Sequence, residues 1–104
     1  MYISNAFSLS MLPRETCTVR CTPRTLEEAR MLASTTMFRS AIGHQDTAAI
    51  VSNLLGVNIP ANRVNVQLHP GDMMLIAQYS GPRLPEGTTQ LPEGAQILFW
   101  TVEL

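Results

Sequence analysis

The sequence predicts a single α+β domain over residues 1–104, with a mixed, mostly antiparallel sheet flanked by helices. Three observations predict it. Ile50, Val51, Leu54 and Leu55 form an apolar stripe at helical spacing. The tract "RVNVQL" (63–68) alternates apolar and polar residues, as a half-buried strand does. Two further apolar runs, "MMLIAQY" (73–79) and "QILFWTVEL" (96–104), are short enough for strands and are separated by a loop rich in Pro and Gly.

Each element has a local justification. "MYISNAF" (1–7) reads as a short strand that runs into the polar loop "SLSMLPRE". "TCTVRCT" (16–22) is rich in Thr and Val and reads as a strand. Thr25 and Glu28 stand three apart, the spacing of a capping box, so a helix starts there and runs to about Ala33. Leu26, Ala29 and Leu32 or Ala33 form its inner face. "MFRSAI" (37–42) is short and mostly apolar, either a strand or a buried connector. The second helix runs from Asp46 or Thr47 to Leu55, and Gly56 suits the residue just past its end. In 63–68, Val64, Val66 and Leu68 face one way and Arg63, Asn65 and Gln67 the other. "HPGD" (69–72) is a turn with Pro and Gly at the centre of a type II geometry. With 73–79 as an interior strand, 63–68 and 73–79 are expected to pair as an antiparallel hairpin. The loop 80–95 contains "LPEG" twice, at 84–87 and 91–94, and its Pro and Gly content excludes regular structure.

Composition narrows the function classes. Hydrophobic residues make up 45% of the chain and charged residues 14%, enough to bury one modest core. No apolar run approaches the ~20 residues that span a bilayer, and the N-terminus lacks the basic start of a signal peptide. A cytoplasmic protein is expected. The net charge of −1 provides no field for duplex nucleic acid. The basic residues of the Lys/Arg class are all arginine, which either reflects codon usage or serves forked contacts to a small anionic ligand. Cys17 and Cys21 are the only cysteines. In an extended segment their Cα atoms lie roughly 13 Å apart, beyond disulfide reach, so they are expected to be reduced and partly buried. No cluster of His and carboxylates has metal-ligand spacing, and no phosphate-cradling glycine loop or serine nucleophile motif occurs.

His44 is the residue on which function turns. It stands in "SAIGHQDTAAIV" (40–51), one or two residues before the second helix. Backbone N–H groups at a helix start favour a phosphate. An imidazole there would stand beside that phosphate and donate a proton to a departing oxygen. The bland alternative is a residue that only caps or packs the turn. Arg63 starts an alternating tract and is either a solvated strand end or an anion contact. Arg83 and Glu86, three apart in the loop, are either a surface ion pair or site residues. His69 in "HPGD" is expected to be exposed.

The segments "NAFSLSML" (5–12), "SAIGHQDTAAIVSNLLG" (40–56), "NRVNVQL" (62–68), "GDMMLI" (71–76) and "RLPEG" (83–87) resemble, in order and spacing, the viral anti-CRISPR ring nucleases and their bacterial relatives. The resemblance is weakest over roughly 13–39. It implies a two-fold homodimer that binds cyclic tetra-adenylate and cleaves it, without a metal or cofactor, to linear di-adenylate. That reaction switches off type III CRISPR signalling. It further implies that His44 is the general acid, assisted by Glu86 and Arg83. Asn5, Ala6, Phe7, Ser8, Gly43, Asp46, Arg63 and Arg83 are implied to line the ligand site. The loop 80–95 would close over the ligand as a lid. The implied location is the cytoplasm, of a host cell if the protein is viral.

One departure stands out. Many relatives carry a small or hydroxyl residue where this chain has Asp46. That carboxylate can cap the helix, and it also brings negative charge towards a phosphate. It keeps open a protein that binds and sequesters a cyclic oligoadenylate without cutting it. A third class, an interaction protein whose dimer surface engages a host protein, would leave His44 structural.

Overall fold

In the computed structural model, which describes residues 1–104, five strands and two α-helices follow one another. They are β1 (Tyr2–Ser4), β2 (Arg20–Arg24), α1 (Leu26–Thr35), β3 (Arg39–Ser40), α2 (Gln45–Leu55), β4 (Met73–Ser80) and β5 (Gln96–Glu103), with a 3-10 turn at Leu9–Met11. The sheet order is β2-β5-β4-β1-β3. The long ladders, β4 with β5 and β5 with β2, are antiparallel. The short ones, β1 with β3 and β1 with β4, are parallel. The predicted α+β class and mixed sheet are therefore found, and β4 is the interior strand expected of a run that is apolar on both faces.

The alternation of β4 divides the core. Leu75 and Ala77 face a cluster with Ala29 and Ala33 of α1 and Ala48, Val51 and Leu55 of α2. Both helices thus pack on one face of the sheet. Met74 and Ile76 face the other side, where Val102 of β5 meets Val66 and Leu68. No helix covers that side. It is covered by the extended segment that leads from α2 to β4.

That segment corrects one expectation. Residues 63–68 form no ladder. Their alternation is real: Val66 and Leu68 are buried while Arg63, Asn65 and Gln67 are exposed. The expected hairpin fails because both edges of β4 are taken, by β1 and β5. The segment instead lies across the sheet, with the Leu68 N–H donating to the Met11 carbonyl at 2.8 Å. The "HPGD" turn does form, with Asp72 N–H donating to His69 O at 2.9 Å and Gly71 at φ 93°, but it delivers the chain into β4 without pairing it to 63–68. His69 is exposed as expected, beside Asp72 at 3.5 Å.

Other boundaries move for local reasons. β1 ends at Ser4, where the Ser4 hydroxyl accepts from Ala6 N–H at 3.3 Å and bends the chain out of the sheet. β2 covers 20–24 instead of 16–22, paired along β5 from Arg20↔Glu103 to Arg24↔Phe99. It tolerates Pro23 because it is an edge strand. Of "MFRSAI", only Arg39 and Ser40 pair, with Tyr2 and Ile3. The α1 capping box is complete: Glu28 N–H donates to Thr25 Oγ1 and Thr25 N–H to Glu28 Oε1. Both cysteines are free as expected, but Cys21 is exposed on the β2 edge instead of partly buried.

The loop 80–95 is exposed along most of its length. Its repeated sequence has a repeated structure. Thr88 N–H donates to Pro85 O at 3.2 Å with Gly87 at φ 82°, and Ala95 N–H to Pro92 O at 3.1 Å with Gly94 at φ 80°. Each Pro-Glu-Gly therefore makes the same turn, with glycine in the positive-φ position of a type II geometry.

Candidate functional site

Three segments of the candidate site leave the sheet at the same end. β1, β3 and β4 are parallel to one another, so their carboxyl ends lie on one side. Asn5–Ser8 follow β1, His44 follows β3, and Arg83 and Glu86 follow β4. Ligand sites in parallel sheets gather at strand carboxyl ends, where diverging connections leave a crevice. Arg63 comes from elsewhere and is brought in by Asn62. The Asn62 N–H donates to Ile42 O at 2.7 Å and its side-chain amide to Ser40 O at 2.8 Å. This clips the extended segment to the chain that leads into α2. Arg63 then lies against Gly43. A Cβ on Gly43 would stand 3.4 Å from both Cβ and Nε of Arg63, so the absent side chain permits the approach.

His44 is the N-cap of α2, with φ −109° and ψ 130°. The helix thus begins one residue before the earliest predicted start, and the cap is His44 instead of Asp46. His44 Nδ1 accepts from Asp46 N–H at 3.3 Å. With Nδ1 as acceptor, the proton of the neutral ring belongs on Nε2. A proton donor in the acid sense needs both nitrogens protonated, and that form gives up the long cap bond.

A cavity of about 950 Å³ opens beside this helix start. His44, Asp46, Arg83 and Glu86 all line it, together with Thr47, Tyr79, Gly81, Leu84 and Pro85. One imidazole, two carboxylates and one guanidinium therefore share a single concave surface at a helix N-terminus. Arg83 and Glu86 are not an ion pair. The close Arg–carboxylate pair of the chain is Arg24–Glu28, at 3.6 Å. Asp46 has a partner in the loop: its Oδ2 accepts from Gly87 N–H at 2.8 Å.

The sequence matches the STIV B116-like family over residues 1–97. The chain belongs to the STIV B116-like family. Its fold is similar to that of B116 of Sulfolobus turreted icosahedral virus, with a TM-score of 0.83 and 28% identity over 99% of this chain and 97% of that one. The chain is also 36% identical over 75 residues to "Uncharacterized protein 26" of Sulfolobus islandicus filamentous virus (isolate Iceland/Hveragerdi). That match covers 72% of this chain and 64% of the viral protein, so the aligned part spans just under two thirds of the relative's length. The resemblance to a viral family thus stands at the level of a B116-like fold.

In this B116-like chain, not every implied site residue lines the cavity. Asn5, Ala6, Phe7 and Ser8 do not. Phe7 packs on the core cluster beneath the extended segment, and Ser8 pairs its hydroxyl with that of Ser10 at 2.8 Å. Arg63 lies against Gly43, the residue before His44, and neither lines the cavity. Sequence reasoning missed Thr47, Tyr79 and Asn62. Tyr79 carries its hydroxyl to the Pro82 carbonyl at the mouth of the loop. Only Thr47 had a usable signal, as the residue three positions after the helix cap. No three His, Cys, Asp or Glu side chains come together as metal ligands, and no helix is long and apolar enough to cross a membrane.

Proposed function

We propose that the protein is a metal-independent ring nuclease that binds cyclic tetra-adenylate between two copies of the chain and cleaves it to linear di-adenylate. The observation that carries the reading is the common cavity of His44, Arg83 and Glu86 at the start of α2. In the reaction, a ribose 2′-hydroxyl gives its proton to solvent as its oxygen bonds to the adjacent 3′-phosphorus, leaving each di-adenylate with a 2′,3′-cyclic phosphate end that water can open. The bond from that phosphorus to the 5′-oxygen breaks, and protonated His44 gives its proton to the departing oxygen. The chain supplies no nucleophile. It supplies in-line geometry, the proton, and positive charge from Arg83 and Arg63 for the phosphorane that develops. Glu86, on the same cavity wall, orients the imidazole. A ring of four nucleotides has two equivalent halves, so a two-fold dimer would present one His44 to each scissile phosphate. The residues 5–8, which do not line the single-chain cavity, fit as contacts to the remainder of such a ring.

The test is direct. The protein is incubated with cyclic tetra-adenylate and EDTA, and products are separated by chromatography. Linear di-adenylate from wild type, with a loss of about 10²–10⁴-fold in His44→Ala, is the expected result. Tight retention of the ring without conversion points to sequestration. A protein that neither binds nor cuts the ring refutes both nucleotide readings and leaves the interaction protein.

A further inference from the structure

We propose that Asp46 is a positioning residue that latches the 83–89 loop to α2 and so fixes Arg83 and Glu86 beside His44. The inference rests on the ring-nuclease reading only for its consequence in cleavage. The latch itself is independent of it.

The helix holds the loop at two points. Asp46 Oδ2 accepts from Gly87 N–H at 2.8 Å, and Asn53 Nδ2 donates to Thr89 O at 2.8 Å. Residues 46 and 53 are seven apart, close to two full turns, so both project from one strip of α2. The loop is shaped to meet them. In the Pro85–Thr88 turn, Thr88 N–H and Thr88 Oγ1 both donate to Pro85 O, at 3.2 and 2.6 Å. The N–H of the glycine at the third position points out of such a turn, where only an outside acceptor can use it. Asp46 is that acceptor. The second Pro-Glu-Gly turn, at 92–94, makes the same internal bond, yet no side chain binds the Gly94 N–H. Its own geometry therefore does not require the contact, and Asp46 singles out the copy that carries Glu86.

The arrangement also accounts for the negative charge near a phosphate site. The carboxylate makes a charge-assisted bond to a backbone donor and sits in the first turn of α2, where the helix dipole favours an anion. The loop that would act as a lid is already held down at the helix. Arg83 stands two residues before the tight turn, Glu86 lies within it, and Gly87 follows Glu86 directly. Releasing Gly87 would free both side chains at once.

The test compares wild type with Asp46→Ala, Asp46→Asn and Asn53→Ala. Amide exchange with water is read by NMR at Gly87 and, as a control on helix integrity, at Val51 and Leu55. Cleavage of cyclic tetra-adenylate supplies kcat and KM. Loss of a charge-assisted bond should speed Gly87 exchange about tenfold in Asp46→Ala, with Val51 and Leu55 unchanged. Asp46→Asn keeps an acceptor oxygen and should return exchange and kcat to within about threefold of wild type. In Asp46→Ala, kcat should fall about tenfold with KM held within about twofold, because the lost element is geometry. Asn53→Ala should show the same pattern more weakly. Gly87 exchange that ignores Asp46→Ala overturns the latch. So does acceleration of the α2 amides together with Gly87, which would mark a helix-stability role. A rise in KM with kcat intact overturns positioning in favour of direct ligand contact. If wild type does not cleave the ring, the ring-nuclease reading fails, and the exchange data alone decide the latch.

Discussion

Gly81→Ala should destabilise the protein more than any other single-methyl addition in the loop. Gly81 follows the last residue of β4, and Ala95 precedes the first of β5, so the pair closes the neck of the loop. A Cβ on Gly81 would stand 2.8 Å from both Cα and Cβ of Ala95 and 3.2 Å from the Tyr79 hydroxyl. The clash with the Ala95 main chain cannot be relieved by rotating a side chain. The φ of 151° adds backbone strain for any residue with a Cβ, about 1–3 kcal/mol. Overpacking adds about 1–3 kcal/mol, for a total of roughly 2–6 kcal/mol. In a domain of this size that lowers Tm by at least about 8 °C. Gly87→Ala and Gly94→Ala provide the comparison. Each has φ near 80° but nothing within 4 Å of the added carbon, so the cost is the left-handed backbone alone, about 1–2 kcal/mol. The double variant Gly81→Ala/Ala95→Gly should recover only part of the loss, because the new methyl still meets the main chain at position 95. Thermal unfolding followed by circular dichroism reads all four. A Gly81→Ala protein that melts with wild type, or no lower than Gly87→Ala, would refute the pinned neck.

Ser52→Ala should cost about 1–3 kcal/mol, read by urea unfolding. The Ser52 hydroxyl lies within bonding distance of Ala48 O at 2.7 Å and Ile59 O at 3.1 Å and accepts from Ile59 N–H at 3.0 Å, so it ties the chain after α2 back to the helix. Gly43→Ala should leave Tm nearly unchanged but weaken binding of the cyclic nucleotide, since the new methyl pushes Arg63 by a few tenths of an ångström; equal affinity in titration calorimetry would show that Arg63 has no ligand role. The Glu28 carboxyl is held below the usual range, first by the Thr25 backbone N–H, then by the Thr25 hydroxyl and the Arg24 charge. A lowered folded pKa stabilises the folded state above the unfolded value, about 4.3, and that contribution is lost as pH falls through the folded value. Urea midpoints measured down through this window should fall more steeply for wild type than for Glu28→Gln, and identical slopes would count against the assignment.

Local chemistry was the legible part of the fold. The capping box at Thr25 and Glu28, the stripe of α2 and the two-sided apolar β4 all carry their cause within a few residues. The tract 63–68 shows the boundary of such reasoning. Alternation reports which side chains are buried, and it did so correctly at Val66 and Leu68. It does not report the partner, and the competition of β1 and β5 for β4 is a long-range matter. β2 was displaced for the same reason: Thr and Val content favours extension at 16–22, but the ladder lies where β5 is long enough to pair. At the candidate site, resemblance supplied the residue types, and His44 was visible as a helix entry. What joins His44 to Arg83 and Glu86 is the parallel arrangement of β1, β3 and β4, which no local pattern encodes. Asp46 was legible as a helix-start carboxylate, but its bond to Gly87 crosses 41 positions of sequence.

The two outer strands of the sheet have a consequence for assembly. Pro23 deprives the β2 edge of a donor, and β3 offers only Arg39 and Ser40, with the Ser40 carbonyl already taken by Asn62. Neither rim is a template for strand addition. Two copies that associate through their faces or loop ends would each keep their own sheet. Such a pair would be able to rock about its contact without breaking a hydrogen-bonded ladder, a freedom that the proposed cleavage of a ring between two copies would use.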